Sequence, residues 1–198
     1  MNLPNKLTVS RLVLTVLFLW ALFSPWPWHH TLALVLFNAA GLTDFLDGRL
    51  ARQRGLITNF GILMDPLADK ILTCSAFIAF VESTHENAAA PVRVAAWMVI
   101  VIVARELAIT GLRLLAASKN LVLAAEKFGK HKTVSQIVAL NALLVLDACG
   151  EWPAPLQNFF RPWVPAFAEV MLWVTVVLTA ASGAIYFWRN GALFLKEA

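Results

Sequence analysis

Asp44-Phe45-Leu46-Asp47-Gly48-Arg49-Leu50-Ala51-Arg52, eight further residues, then Gly61, Asp65 and Asp69: the spacing within this stretch is the key to the chain. Four of the 12 acidic residues fall here, in surroundings that are otherwise mostly apolar. A carboxylate near hydrocarbon is costly unless an opposite charge meets it. Four together call for cations, and divalent ions neutralise them with the fewest partners. Residues three and four apart share a helix face, so Asp44 pairs with Asp47 and Asp65 with Asp69. The short connection between the pairs predicts two antiparallel neighbouring helices whose carboxylates converge at one depth. Pro66 is compatible with this reading if it lies in the first turn of its helix, where its missing N–H costs little.

The rest of the chain sets the medium in which these helices sit. Of 198 residues, 60% are hydrophobic and 14% charged, and the mean hydropathy is +0.71. Soluble domains are nearer 45–50% apolar. A spanning helix needs about 20 mostly apolar residues, and six stretches qualify, near residues 8–24, 31–50, 62–82, 91–117, 132–149 and 163–188. Turn chemistry separates them, as in Ser24-Pro-Trp-Pro, Glu82-Ser-Thr-His and Gly150-Glu-Trp-Pro. The predicted fold is all-α: a polytopic integral membrane protein with six transmembrane helices in a single domain, 1–198. A short interfacial segment at Asn2–Thr8 precedes the first span. The apolar run up to Ser24 lacks a small-x-small cleavage site and is read as a retained helix.

Orientation follows from the basic residues. Lys6, Arg11, Arg49, Arg52, Arg54, Arg113, Lys119, Lys127, Lys130, Lys132, Arg189 and Lys196 fall on the side bearing the N-terminus, against Arg93 and Arg161 opposite. Positive residues favour the cytoplasmic side, so both termini and the aspartates are expected there. Trp26, Trp28, Trp152 and Trp163 cluster at the expected outer boundary, where indole rings favour the headgroup zone. The basic balance is therefore topological and meets anionic membrane lipid; it is no argument for nucleic acid. Cys74 and Cys149 form no ligand pattern and read as packing residues. His29, His30 and His85 are expected on outer loops, in water, whereas His131 sits in a basic cytoplasmic run.

Small residues accompany the acids. Gly48 and Ala51 follow Asp44 by four and seven positions, and Gly61 precedes Asp65 by four. They clear space for a bulky polar ligand beside the carboxylates. With no cysteine or well-spaced histidine in the set, oxygen ligation favours two divalent cations, Mg²⁺ or Mn²⁺. Two such ions a few ångströms apart suit phosphoryl chemistry.

The pattern Asp-x2-Asp-Gly-x2-Ala-Arg-x8-Gly-x3-Asp-x3-Asp, complete from Asp44 to Asp69, resembles the signature of the CDP-alcohol phosphotransferases. The likeness extends to the six-span outline. Three further stretches resemble the branch of that family that uses a phosphorylated glycerol: the opening from Asn2 to Arg11, Ala104-Arg105-Glu106 with Arg113, and Phe128-Gly129-Lys130-His131-Lys132-Thr133 with Gln136. The resemblance implies transfer of the phosphatidyl group of CDP-diacylglycerol to sn-glycerol 3-phosphate, releasing CMP. It implies Asp44, Asp47, Asp65 and Asp69 as metal ligands, with Asp69 also the general base. It further implies Asp44, Gly48, Ala51, Arg52 and Gly61 along the cytidine-diphosphate pocket, and a homodimer. Arg105, Arg113, Lys130 and Lys132 are the expected cradle for the acceptor phosphate. Arg105 is the most telling of them, because an arginine within a span is costly without an anionic partner. Glu106 either orients Arg105 or simply pairs with it. The rival acceptors are inositol phosphate, serine and a cardiolipin-type alcohol. The rival class is a divalent-cation transporter, whose acids belong near the bilayer midplane with a polar path on both sides.

Overall fold

The computed structural model describes residues 3–54, 59–86, 90–118 and 127–195. Among them all the regular structure is helical: α1 Leu3–Leu22, α2 His29–Arg54, α3 Asn59–Glu86, α4 Ala96–Ser118, α5 Lys127–Ala148, a 3-10 turn Cys149–Glu151, α6 Ala154–Phe160 and α7 Val164–Leu195. Six of these are long, and each coincides with one of the six apolar stretches. The expected N-terminal segment is not separate, since from Leu3 onward it is the start of α1.

Local chemistry explains the breaks. The hydroxyl of Ser24 donates to the carbonyl of Trp20 at 2.6 Å, and Pro25 and Pro27 then prevent α1 from continuing. Trp28, immediately before α2, has φ 69. An aromatic residue in that region stores about 1–3 kcal/mol of strain. Helix α4 begins at Ala96 rather than near residue 91. Pro91 opens an irregular stretch in which the Val94 N–H donates to the Thr84 hydroxyl at 3.2 Å, while that hydroxyl donates to the Phe80 carbonyl at 2.7 Å. Pro66 does not lie in a first turn, because α3 has already begun at Asn59. Proline there withholds the N–H that the Ile62 carbonyl would accept, which favours a bend.

Helix α1 packs against both α2 and α3, α5 against α2 and α7, and α4 against α3 and α7. Among the described residues α2 and α3 themselves meet sparingly. Small side chains let the helices approach: Ala21, Ala33, Ala40, Ala76 and Ala139 are fully buried. Phe18 and Phe37 fill the remaining space with ring centroids 5.6 Å apart. An amide pair, Asn38 Nδ2 donating to Asn141 Oδ1 at 2.8 Å, ties α2 to α5.

The distribution of polarity is inverted relative to a water-soluble bundle. Arg11, Thr15, Glu106, Lys132, Ser135, Gln136, Thr175 and Thr179 are buried, whereas Val16, Trp20, Val35, Ile100, Leu107, Val170, Val177 and Trp188 are exposed. Large apolar side chains facing outward around a polar interior suit a hydrocarbon solvent. Two helical stretches among the described residues, His131–Glu151 and Val164–Arg189, are long and apolar enough to cross a membrane, and Thr8–Leu22 is a shorter apolar helix.

Candidate active site

The aspartate stretch is helical in backbone on both sides of its connection. Asp44, Asp47, Gly48, Ala51 and Arg52 lie in the C-terminal part of α2, and Gly61, Asp65 and Asp69 in the N-terminal half of α3. At about 100° per residue, Asp44, Asp47, Gly48 and Ala51 fall within an arc of roughly 100°, and Gly61, Asp65 and Asp69 within roughly 80°. By backbone position, these residues of each helix therefore fall on one side of it. The side chains of these eight residues, and that of Lys130, lie outside the described residues.

What the structure assembles in detail is the second half of the candidate site, around Glu106. This glutamate on α4 is 1% exposed. Its Oε2 accepts from Lys70 Nζ of α3 at 3.0 Å. Its Oε1 meets Arg105 Nη1 at 3.2 Å, Lys132 Nζ of α5 and Gln136 Nε2 of α5 at 3.4 Å. Lys132 is as deeply buried as Glu106, and the Ser135 hydroxyl donates to its carbonyl at 2.8 Å. Burying Glu106 is tolerable because its lone pairs are met by charged or strongly polar donors.

Helix α7 sets the position of Arg105 from the other side. A Cβ added at Gly183 would stand 3.0 Å from Arg105 Cγ, so only glycine lets the arginine stem lie against α7 at its present place. Arg113 does not join the Glu106 cluster. It is exposed, seven residues further along α4, about 10 Å away along the axis. Its guanidinium carbon lies 5.7 Å from the ring centroid of Tyr186 on α7, close enough for a cation–π contact. The basic groups thus fall at two places: Arg105 of α4 and Lys132 of α5 beside buried Glu106, and Arg113 exposed further along α4. His131, beside Lys132 in the chain, is exposed.

Two members of this cluster escape a reading of the sequence. Lys70 follows Asp69 directly and looks like a counter-ion for its neighbours in the chain. Gln136 looks like a helix-bridging amide. A usable signal existed in each case: an ionisable group inside a span is a site candidate in its own right, and Gln136 lies one turn from Lys132 on the same face of α5.

Comparison with known proteins addresses the chemistry. Residues 1–181 match the CDP-alcohol phosphatidyltransferase family. The chain belongs to this family. It is similar to the CDP-diacylglycerol–glycerol-3-phosphate 3-phosphatidyltransferase of Bacillus subtilis, with 41% identity over 96% of this chain and 95% of that protein. Relatives of the same name from Rickettsia bellii and Haemophilus influenzae share 31% and 30% identity over 94% and 90% of this chain, covering 93% and 87% of their own lengths. A CDP-alcohol phosphatidyltransferase works on lipid at a membrane surface, and the outward-facing apolar side chains and membrane-length helices fit that setting.

Proposed function

We propose that this chain transfers the phosphatidyl group of CDP-diacylglycerol to the hydroxyl of sn-glycerol 3-phosphate, giving phosphatidylglycerophosphate and CMP. The observation that carries the acceptor half is the gathering of Lys70, Arg105 and Lys132 around buried Glu106. The formal charge of these four side chains is 3 − 1 = +2, the complement of a phosphate monoester carrying nearly two negative charges. Arginine adds a planar fork of donors suited to phosphate oxygens. In this reading Glu106 is a tether. It holds three long side chains in a fixed arrangement, so that ordering them adds little to the cost of binding the acceptor. Arg113 and Lys130 would extend the cradle toward the water. The relatives, named as CDP-diacylglycerol–glycerol-3-phosphate 3-phosphatidyltransferases, support the same donor and acceptor.

Asp44, Asp47, Asp65 and Asp69 would hold two divalent cations, Mg²⁺ or Mn²⁺, because an all-carboxylate donor set suits hard ions. When bound, such ions neutralise the diphosphate and polarise its phosphorus–oxygen bonds. Gly48, Ala51 and Gly61 leave the shared faces clear for the cytidine diphosphate, and Arg52 offers it a positive partner. Asp69 takes the proton of the attacking glycerol hydroxyl. A bond forms from that oxygen to the phosphatidyl phosphorus as the bond to the CMP oxygen breaks, and CMP departs with the electron pair.

In the same reading the six long helices all span the membrane, and the start of α1 lies at its interface. Both termini and the site face the cytoplasm from a bacterial inner membrane, and the enzyme is a homodimer. The twelve-to-two distribution of basic residues supports the sidedness. The test is label transfer in vesicles containing CDP-diacylglycerol and Mg²⁺. Label from glycerol 3-phosphate is expected in the lipid fraction, equimolar with CMP. CMP release with the label left in the water would contradict the assignment.

A further inference from the structure

The end of the bundle remote from the aspartates carries a second group of ligating side chains. His29 and His30 open α2, and Glu151 closes the 3-10 turn after α5. One ligand atom from each of the three lies within 4.8 Å of the others. Neither histidine is the solvated loop residue that the sequence suggests. Both are half-buried, their rings lie 3.8 Å apart, and the Nδ1 atom of each is buried without a hydrogen-bond partner among the described residues.

Three further observations point into the same place. Asp147, one turn before Glu151 on α5, has a buried Oδ2 that is likewise without a partner. Both acids and both histidines line one cavity of about 590 Å³, together with Trp26 and Trp28. Trp28, whose backbone is strained at φ 69, immediately precedes the two histidines and lines the same cavity.

The lone pairs can be counted. Glu151 Oε1 accepts the His30 N–H at 2.8 Å. Oε2 accepts the Thr31 N–H at 2.8 Å and the Thr31 hydroxyl at 2.6 Å. A carboxylate has about four acceptor positions, so one position on Oε1 remains open, on the atom bonded to His30. Two imidazole nitrogens and a carboxylate oxygen make a borderline nitrogen–oxygen donor set, which suits zinc rather than Mg²⁺. The two carboxylates match the charge of a divalent ion. A tetrahedral zinc ion would draw its ligands to about 3.4 Å from one another, closer than the 4.8 Å within which they now lie.

We propose that His29, His30 and Glu151, with Asp147 beside them, form a zinc-type divalent metal site that fastens the start of α2 to the end of α5. His30 and Asp44 are 14 residues apart on one helix, about 21 Å, so this site is separate from the aspartate motif and does not depend on the reaction proposed above.

The test uses the full-length protein in detergent, purified without a histidine tag and stripped of metal with chelator. Zn²⁺ is titrated in millimolar Mg²⁺, so that the aspartate motif is already occupied. Bound zinc is measured by elemental analysis and its ligands by X-ray absorption. The expected result is one tight zinc per chain, with nitrogen ligands at about 2.0 Å and a thermal midpoint raised by several degrees. His29→Ala and His30→Ala each weaken binding at least tenfold and remove the thermal shift. Glu151→Gln also disturbs the α2 terminus, so the histidine variants decide the matter. Zinc bound equally by wild type and both histidine variants, no zinc bound at all, or a nitrogen-free coordination shell would overturn the proposal.

Discussion

Glu106 and the side chains that touch it behave as a unit, so the most informative substitutions leave shape intact and change charge. Glu106→Gln keeps the volume but leaves Arg105 and Lys132 without their carboxylate. Breaking a buried ion pair costs about 3–5 kcal/mol, so a thermal or denaturant midpoint well below wild type is expected. If the cluster also cradles the acceptor, KM for glycerol 3-phosphate rises about tenfold, or about 1.4 kcal/mol, while KM for CDP-diacylglycerol changes little. A stability loss with unchanged acceptor KM would leave Glu106 as a structural pair only. Arg113 stands apart from that unit, exposed and resting on Tyr186, and its truncation costs little stability. Arg113→Ala is expected to raise the acceptor KM severalfold with kcat nearly kept; an unchanged KM would exclude it from the cradle. Asp69→Asn is expected to abolish turnover while retaining metal-dependent binding of CDP-diacylglycerol in an equilibrium assay. Near-wild-type turnover would remove Asp69 from the role of base.

At the scale of elements, the contact of α4 with α7 is where packing controls chemistry. Gly183 leaves 3.0 Å between a would-be Cβ and Arg105 Cγ. That is closer than carbon atoms pack at their optimum separation, so the arginine stem must shift. Gly183→Ala is therefore expected to raise the acceptor KM while sparing CDP-diacylglycerol binding and the helical circular-dichroism signal. An unchanged acceptor KM would show that Arg105 does not need its present place. The elements differed in how readable they were. The six long helices follow from apolar runs and their turn residues. The start of α4 was misplaced because Pro91 and Val92 look apolar, yet proline withholds a backbone donor. Helix α6, Ala154–Phe160, is too short for an apolar run to reveal. It forms where Phe159, Phe160 and Trp163 meet edge-to-face or tilted at centroid distances of 5.0–6.5 Å.

For the molecule as a whole, sequence spacing groups residues that are near in the chain and says little about partners that are distant in it. The aspartate motif is legible because its members are close in the chain and helical geometry does the rest. The Lys70–Glu106 pair spans 36 positions and the Glu151–Thr31 contact 120, and only tertiary packing brings such partners together. The same packing puts charged and polar groups inside and apolar ones outside, which is why composition announced a membrane protein so early. Two divalent ions at the aspartates would make the reaction strictly metal-dependent. Chelation is expected to remove activity, and Mg²⁺ or Mn²⁺ to restore it; activity surviving exhaustive chelation would contradict the assignment.

The central claim is that the basic groups around Glu106 select a phosphorylated glycerol. The most direct measurement is kcat/KM from CMP release with glycerol 3-phosphate, glycerol, serine and inositol phosphate, using one preparation in CDP-diacylglycerol vesicles with Mg²⁺. Glycerol 3-phosphate is expected to exceed the unphosphorylated alcohols, glycerol and serine, by at least about 100-fold, or about 2.7 kcal/mol, and to exceed inositol phosphate by less, since both carry a phosphate monoester. Arg105→Gln is expected to remove most of that advantage. CMP release that is faster with serine or inositol phosphate, or a preference for glycerol 3-phosphate that Arg105→Gln leaves intact, would contradict it.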